Sequence, residues 1–300
     1  MPQDYRKQIF KAMDYISQRL YLNPTLEEIA SEVAISSFHF HRIFRAQVGE
    51  TIAEFTRRLR MERAAIGLME SPQGDITRLA LRIGFSSSQN FAKAFRHHFS
   101  LSPGEFRRRH LATMKSKAGN VAPPKTAYSQ LDAMQAAMND VTFLSANIVS
   151  LPARRVAYMR RLGPYGKETC QLTHQDLLAL FPARTPLQPA GMLCIYWDAP
   201  EITLASKCRT DVGFELSPGE KPDRGVAVQT LSAGTYAVCK FAACCERIED
   251  TWDIALAWVK TRGYIHGDRP CYEKYYNETD TIRDYYVYDI CIPLKNTPEE

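Results

Sequence analysis

The sequence predicts an all-α N-terminal domain (residues 1–113), a linker (114–139) and an α+β C-terminal domain (140–296). Three observations carry this. A helix-turn-helix is spelled twice within about the first hundred residues. The helical spacing of apolar residues fades after Met114, where Pro123 and Pro124 interrupt a stretch rich in Ala, Lys, Gln and Ser. Short strand-like runs then alternate with two amphipathic helices, as in a sheet with helices packed on one face. At 300 residues and 45% hydrophobic, the chain can bury two cores.

The repeat begins with Leu26, Ile29, Ala30, Val33, Ala34, Ile35 and Ser36, matched 50 positions later by Ile76, Leu79, Ala80, Ile83, Gly84, Phe85 and Ser86. The offset then becomes 51, pairing Phe40, Phe44 and Arg45 with Phe91, Phe95 and Arg96, and Thr51, Glu54 and Phe55 with Ser102, Glu105 and Phe106. A one-residue insertion near Ser86 accounts for the step.

Taken in order, Ile9, Met13, Ile16 and Leu20 predict a first helix from about Tyr5 to Arg19, stopped by Asn23 and Pro24. Thr25 and Glu28 form a capping box opening a short helix to Val33. Ala34, Ile35 and Ser36 turn the chain into a helix from Ser37 to Val48, which buries Phe40, Phe44 and Val48. Thr51 and Glu54 cap a long helix to about Glu70. The second copy repeats the pattern, with Phe91, Phe95 and Phe99 buried and a matching box at Ser102 and Glu105.

Committing the phenylalanines to the core turns the other face outward. In the first copy that face and its N-terminal turn offer Ser37, Phe38, His39, His41, Arg42 and Arg45; in the second, Ser88, Gln89, Asn90, Lys93 and Arg96. Arg can bridge guanine O6 and N7, Asn and Gln match adenine, and an aromatic ring can touch a thymine methyl. Phe38 has an alternative place in the core. Arg57, Arg58 and Arg60 fit phosphate contacts or a solvated helix surface. The histidine pairs 39/41 and 97/98 lack the spacing that puts both rings on one helical face, so they do not suggest a metal site.

Charge fits a polyanionic partner and a solvated helix surface equally well, so the motifs decide between them. Residues 1–114 hold 17 Lys or Arg against 11 Asp or Glu, whereas the remainder holds 21 against 22. All eight cysteines follow residue 169, mostly within apolar runs and without a Cys-x-x-Cys pair, which predicts reduced thiols rather than disulfides or zinc. With no spanning apolar stretch and no apolar run of a signal peptide, the expectation is a cytoplasmic, nucleoid-associated protein with no membrane partner.

Ile83, Gly84 and Phe85, followed by Gln89, Asn90, Phe91, Lys93, Phe95 and Arg96 and then by Leu101, Pro103, Phe106 and Arg107, resemble the signature of AraC/XylS-type transcriptional regulators over roughly residues 5–110. The resemblance implies two helix-turn-helix subdomains entering adjacent major-groove segments of a promoter or operator from one molecule. The outward residues fall on its contacting positions.

In the C-terminal domain the predicted strands are 149–151, 155–162, 192–197, 211–216, 226–231, 236–241, 271–276 and 285–294, with helices at 169–181 and 249–262. Asp289 stands mid-strand in a nearly uncharged run, where a carboxylate needs a partner. That partner is a cationic aromatic ligand, or a neighbouring Lys or Arg, or solvent at the sheet edge. Leu151 to Tyr158, Gly163-Pro164-Tyr165, Tyr196-Trp197-Asp198, Cys208-Arg209 with Asp211, Gly234 with Tyr236, and Pro270 to Tyr275 together resemble the GyrI-like small-molecule-binding domain over about residues 141–295. The resemblance implies a pseudo-twofold repeat around a cleft and an acidic residue for cationic or amphipathic compounds, placed by register at Asp289, where the family commonly has Glu. The candidate ligand residues are Asp289, Glu273, Tyr275, Trp197 and Tyr158.

The two modules together resemble Rob-type regulators. The expected function is a DNA-binding regulator tuned by a small effector, with RNA polymerase as a further contact, no cofactor, no metal and no catalysis. Two other functions stay open: a hydrolase of small electrophiles using Glu273 or Asp289, and a protein-interaction module without a ligand.

Overall fold

The apolar spacing of the first hundred residues is realised as helices that bury one stripe each. The computed structural model describes residues 4–117, 141–180, 191–220, 226–276 and 285–295. The chain divides into two units, residues 1–121 and 122–300. In the first unit, α1 (Arg6–Gln18) buries Ile9, Met13 and Ile16. The capping box ahead of α2 (Leu26–Glu32) is complete: the Glu28 N–H donates to Thr25 Oγ1 at 3.2 Å, and the Thr25 N–H to the Glu28 carboxylate at 2.7 Å. The same device opens α4 (Ile52–Glu70) at Thr51 and Glu54, and α7 (Pro103–Lys117) at Ser102 and Glu105. Each such cap stabilises by about 1 kcal/mol.

The helices that follow the turns are α3 (Ser37–Val48) and α6 (Ser88–Phe99), with α5 (Ile76–Arg82) the counterpart of α2. Ala34 and Gly84 hold equivalent turn positions with φ of 54° and 87°. Glycine adopts that backbone freely, whereas alanine pays about 1–2 kcal/mol for it. The inserted residue of the second copy lies in this turn. It supplies Ser87, whose hydroxyl accepts the Asn90 N–H at 3.2 Å, a cap that Ser36 does not make.

Aromatic rings join each of these two helices to the next. Phe44 meets Phe55 edge-on at 5.6 Å, and Phe95 meets Phe106 at 5.4 Å. Phe99 is only half-buried, over Phe95 and Phe106. Phe38 is not in the core.

The long helix α4 corrects the expectation for its arginines. Arg58 is buried and donates to Glu50 at 2.6 Å and to Glu62 at 3.2 Å. Arg60 donates to the Leu20 carbonyl at 2.9 and 2.8 Å, fixing the end of α1. Both are structural because α4 packs against α1, α3, α5, α6 and α7, which leaves it little solvent-facing surface. α7 runs to Lys117, so the predicted linker begins in helix; its remainder, with the short helix predicted near 131–138, lies outside the described residues.

The second unit is an antiparallel sheet of β1 (Thr142–Leu151), β2 (Arg154–Leu162), β3 (Met192–Tyr196), β4 (Arg209–Glu215), β5 (Ala227–Leu231), β6 (Gly234–Cys244), β7 (Cys271–Tyr275) and β8 (Tyr285–Pro293). Their order is β1-β6-β8-β7-β3-β4-β2-β5. α8 (Lys167–Leu180) packs on β2 and β4, and α9 (Ile248–Thr261) on β6 and β8. A strand-helix-strand-strand unit therefore occurs twice, β2-α8-β3-β4 and β6-α9-β7-β8, with β3 and β7 paired at the centre. The outer strands are exchanged: β1 pairs with β6, and β5 with β2.

Cross-strand partners share a face and consecutive residues alternate. Cys194, Tyr196, Glu273, Tyr275 and Tyr288 thus face the helices, while Ile195, Tyr272, Lys274 and Asp289 face the other way. No helix among the described residues is long and apolar enough to cross a membrane.

Candidate reading helices and a candidate ligand cage

The exposed flank of α3 carries Phe38, His41, Arg42 and Arg45, with Phe38 83% exposed. A ring of that size left in solvent gains nothing for the fold, and it borders an open depression shared with Leu26, Ser37, His41, Arg42 and Arg45. Ser37 is half-buried. His39 is half-buried too, its ring edge-on to Tyr5 at 5.1 Å, so it is tied to the start of α1 rather than aligned with the outward flank. On α6, Gln89, Asn90, Lys93 and Arg96 are exposed and Ser88 is half-buried. The Asn90 amide donates to the Ser86 hydroxyl at 3.1 Å, so part of its capacity is spent in the turn. Neither α3 nor α6 contains an acidic residue. The dipole at each N-terminus and the basic side chains along the exposed flank favour an anionic partner.

In the second unit the helix-bearing face holds a buried carboxylate. Glu273 accepts from the Tyr196 hydroxyl at 2.9 Å and the Tyr275 hydroxyl at 2.7 Å on one oxygen, and from the Trp252 indole N–H at 2.6 Å on the other. Burial pushes its carboxyl above the ordinary range, and the three donors pull it back. The phenols of Tyr196 and Tyr275 are held well above their ordinary values by burial, so they remain donors. Tyr196 stands perpendicular to Trp252 at 5.5 Å and edge-on to Tyr165 at 4.9 Å, and all three rings are half-buried. Tyr165 is itself fixed: its hydroxyl donates to the Asp198 carbonyl at 3.0 Å and accepts the Asp198 N–H at 2.8 Å. An acid floored by a sheet and walled by aromatic faces can attract an organic cation through both charge and ring quadrupole.

Of the five candidate ligand residues, only Glu273 and Tyr275 meet in this cage. Asp289 lies on the opposite face, where it accepts from the Tyr276 hydroxyl at 2.5 Å with Lys240 and Lys274 directly across on its two neighbouring strands. The sheet places both lysines beside it, yet the bond it makes is to the Tyr276 phenol, and its other oxygen, Oδ1, is buried without a hydrogen-bond partner among the described residues. Trp197 donates its indole N–H to Asp211 at 2.6 Å, and Asp211 also receives Arg160 at 2.6 and 2.8 Å and Gln229 at 2.8 Å. Tyr158 lies under the same Arg160 guanidinium at 5.2 Å. These two aromatics therefore serve a buried ion pair on the other face. The cause is strand alternation, since one step along β3 separates Tyr196 from Trp197.

Sequence reasoning missed Tyr196, Tyr165 and Trp252 as cage residues. Tyr196 and Tyr165 stood within the motifs already quoted, and Trp252 was hidden in the amphipathic pattern of its helix. Cys170 is half-buried and Cys194 buried. No group of three or more His, Cys, Asp or Glu among the described residues is arranged to hold a metal.

Residues 145–295 match the family model described as the GyrI-like small molecule binding domain, and residues 29–109 match a helix-turn-helix domain model. Among curated relatives, YbfP of Bacillus subtilis, called an uncharacterized HTH-type transcriptional regulator, is 32% identical over 103 residues, 34% of this chain and 35% of YbfP. PqrA of Proteus vulgaris, a probable transcription factor, is 37% identical over 82 residues, 27% of this chain and 66% of PqrA. The chain thus spans about a third of the length of the first curated relative it matches. Among solved structures, SAV2435 bound to tetraphenylphosphonium is 14% identical with a TM-score of 0.37, over 51% of this chain and 95% of that one.

Proposed function

Because this chain belongs to the GyrI-like small-molecule-binding family and carries an AraC-type helix-turn-helix domain ahead of it, we propose that it is a transcriptional regulator whose DNA binding responds to a small organic cation. Residues 1–113 bind promoter DNA, and residues 140–296 bind the effector. The observation that carries the first half is the pair of acid-free helices with exposed polar flanks. On α3, Arg42, Arg45 and His41 supply donors to bases or phosphates and Phe38 supplies an apolar contact to a thymine methyl; on α6, Gln89, Asn90, Lys93 and Arg96 do the corresponding work. His39 and Ser37 set the helix start. RNA polymerase is a further partner of the DNA-bound protein.

The effector reading rests on Glu273. A cation seated on the faces of Tyr196, Tyr165 and Trp252 gains about 2 kcal/mol from the rings when desolvated, in addition to its attraction to the carboxylate. Asp289 takes no part in this reading. Hydrolysis is the less favoured alternative, because both Glu273 oxygens are engaged by phenol and indole donors and so are poorly placed to activate water.

The test is selection of bound duplexes from random DNA at fixed salt, followed by affinity measurement with and without a quaternary aromatic ammonium. Enrichment of one sequence, with affinity falling steeply as salt rises, supports regulation. Equal competition by scrambled duplexes refutes it.

A further inference from the structure

Two thiols converge at the rim of the Glu273 cage from separate elements. Cys194 lies on the helix-bearing face of β3, directly across from Glu273 and two residues before Tyr196. Cys170 comes from the start of α8, with its sulfur 3.6 Å from the Tyr196 hydroxyl. The neighbouring Cys170 thiol is the first cause holding the Cys194 thiol well above its ordinary value, ahead of burial. Cys170 is half-buried, whereas Cys194 is 1% exposed. One thiol is therefore partly exposed to solvent and the other is sheltered from it.

We propose that Cys170 and Cys194 form a reversible disulfide when the protein meets a peroxide, and that this bond is a modification site beside the effector cage. The Cys170 sulfur attacks one peroxide oxygen, the O–O bond breaks, and Cys170 becomes a sulfenic acid while hydroxide leaves and takes up the thiol proton as water. The Cys194 sulfur then attacks the Cys170 sulfur. The S–O bond breaks, and the departing hydroxyl takes the Cys194 proton to give a second water. Two thiols are oxidised and one peroxide is reduced. The product ties α8 to β3 and removes the thiol partner from the Tyr196 hydroxyl, which holds Glu273. Oxidation of this pair thus changes the cage from its rim.

The experiment uses the full chain treated with hydrogen peroxide, blocked with iodoacetamide and digested without reductant for mass spectrometry. The expected product is one cross-linked peptide pair joining Cys170 to Cys194, lighter by two hydrogens, reversed by dithiothreitol and absent from Cys170→Ser and Cys194→Ser. Intrinsic tryptophan fluorescence should shift with the same time course, because Trp252 and Tyr196 share the carboxylate. If a serine variant fails to fold, Cys170→Ala and Cys194→Ala, checked by circular dichroism, replace it. The proposal is overturned if both cysteines remain alkylated, if Cys170 advances to the sulfinic acid with Cys194 still alkylated, or if Cys245 takes the bond instead. None of these outcomes depends on DNA or on a cationic effector, so the result stands apart from the regulatory function.

Discussion

Glu273 and Asp289 point to opposite sides of one sheet. Across the β7–β8 ladder Glu273 pairs with Ile290 and Lys274 with Asp289, so the neighbouring strands that bring the two carboxylates close in the fold also turn them apart. Glu273 meets aromatic donors under the helices, and Asp289 accepts from the Tyr276 hydroxyl on the other side.

This division predicts unequal effects on effector binding. Glu273→Gln should weaken a quaternary aromatic ammonium at least about tenfold, the equivalent of ~1.4 kcal/mol, while Asp289→Asn leaves the affinity nearly unchanged. Isothermal titration of the full chain checks both. Equal losses would mean that the acid acts through the fold and not through contact.

The same carboxyl sets a pH dependence. Burial raises the Glu273 pKa above the ordinary 4.5, so cation affinity should begin to fall on acidification at a pH above that value, as the group becomes neutral. Stability has the opposite slope. A carboxyl raised in the fold contributes stability below its unfolded pKa and loses it as pH rises through the folded pKa. Melting temperatures measured from mildly acidic to neutral pH should carry this contribution in the parent and lack it in Glu273→Gln.

On the DNA side, Arg42→Ala should cost about 1–3 kcal/mol at a cognate site and relax specificity there. Lys93→Ala, if its partner is a phosphate, should weaken all sequences alike and flatten the slope of log affinity against log salt by about 1. Fluorescence anisotropy at several salt concentrations distinguishes the two.

Arg58 predicts a purely structural effect. Its removal strands Glu50 and Glu62, both buried, and Arg58→Met should destabilise the first unit by about 3–5 kcal/mol. Adding Glu50→Gln and Glu62→Gln should recover part of the loss. Thermal unfolding followed by circular dichroism reads both.

The helical part was largely legible because its signals are local. Apolar spacing and capping boxes lie within a few residues of one another, and α3 runs from Ser37 to Val48 as its phenylalanine stripe required. Strand positions were legible for the same reason, although β1 begins at Thr142 and β6 continues to Cys244, beyond their most apolar runs. Arg58 was misread because its burial depends on helices that return from both copies. The cage was only partly visible, since Glu273, Trp252 and Tyr196 lie on three elements and which strand residues share a side is fixed by pairing. A register carried over from a resemblance could not supply that alternation.

The swapped outer strands have a further consequence for assembly of the second unit. Thr142 pairs with Ala242 and Leu151 with Gly234, so the segment that leads into β2 completes the half that is made later. Clipping the chain just before β2 would wound the distant lobe and spare its own. Each lobe takes an outer strand from the other half of the sequence, and such remote pairings make folding slow.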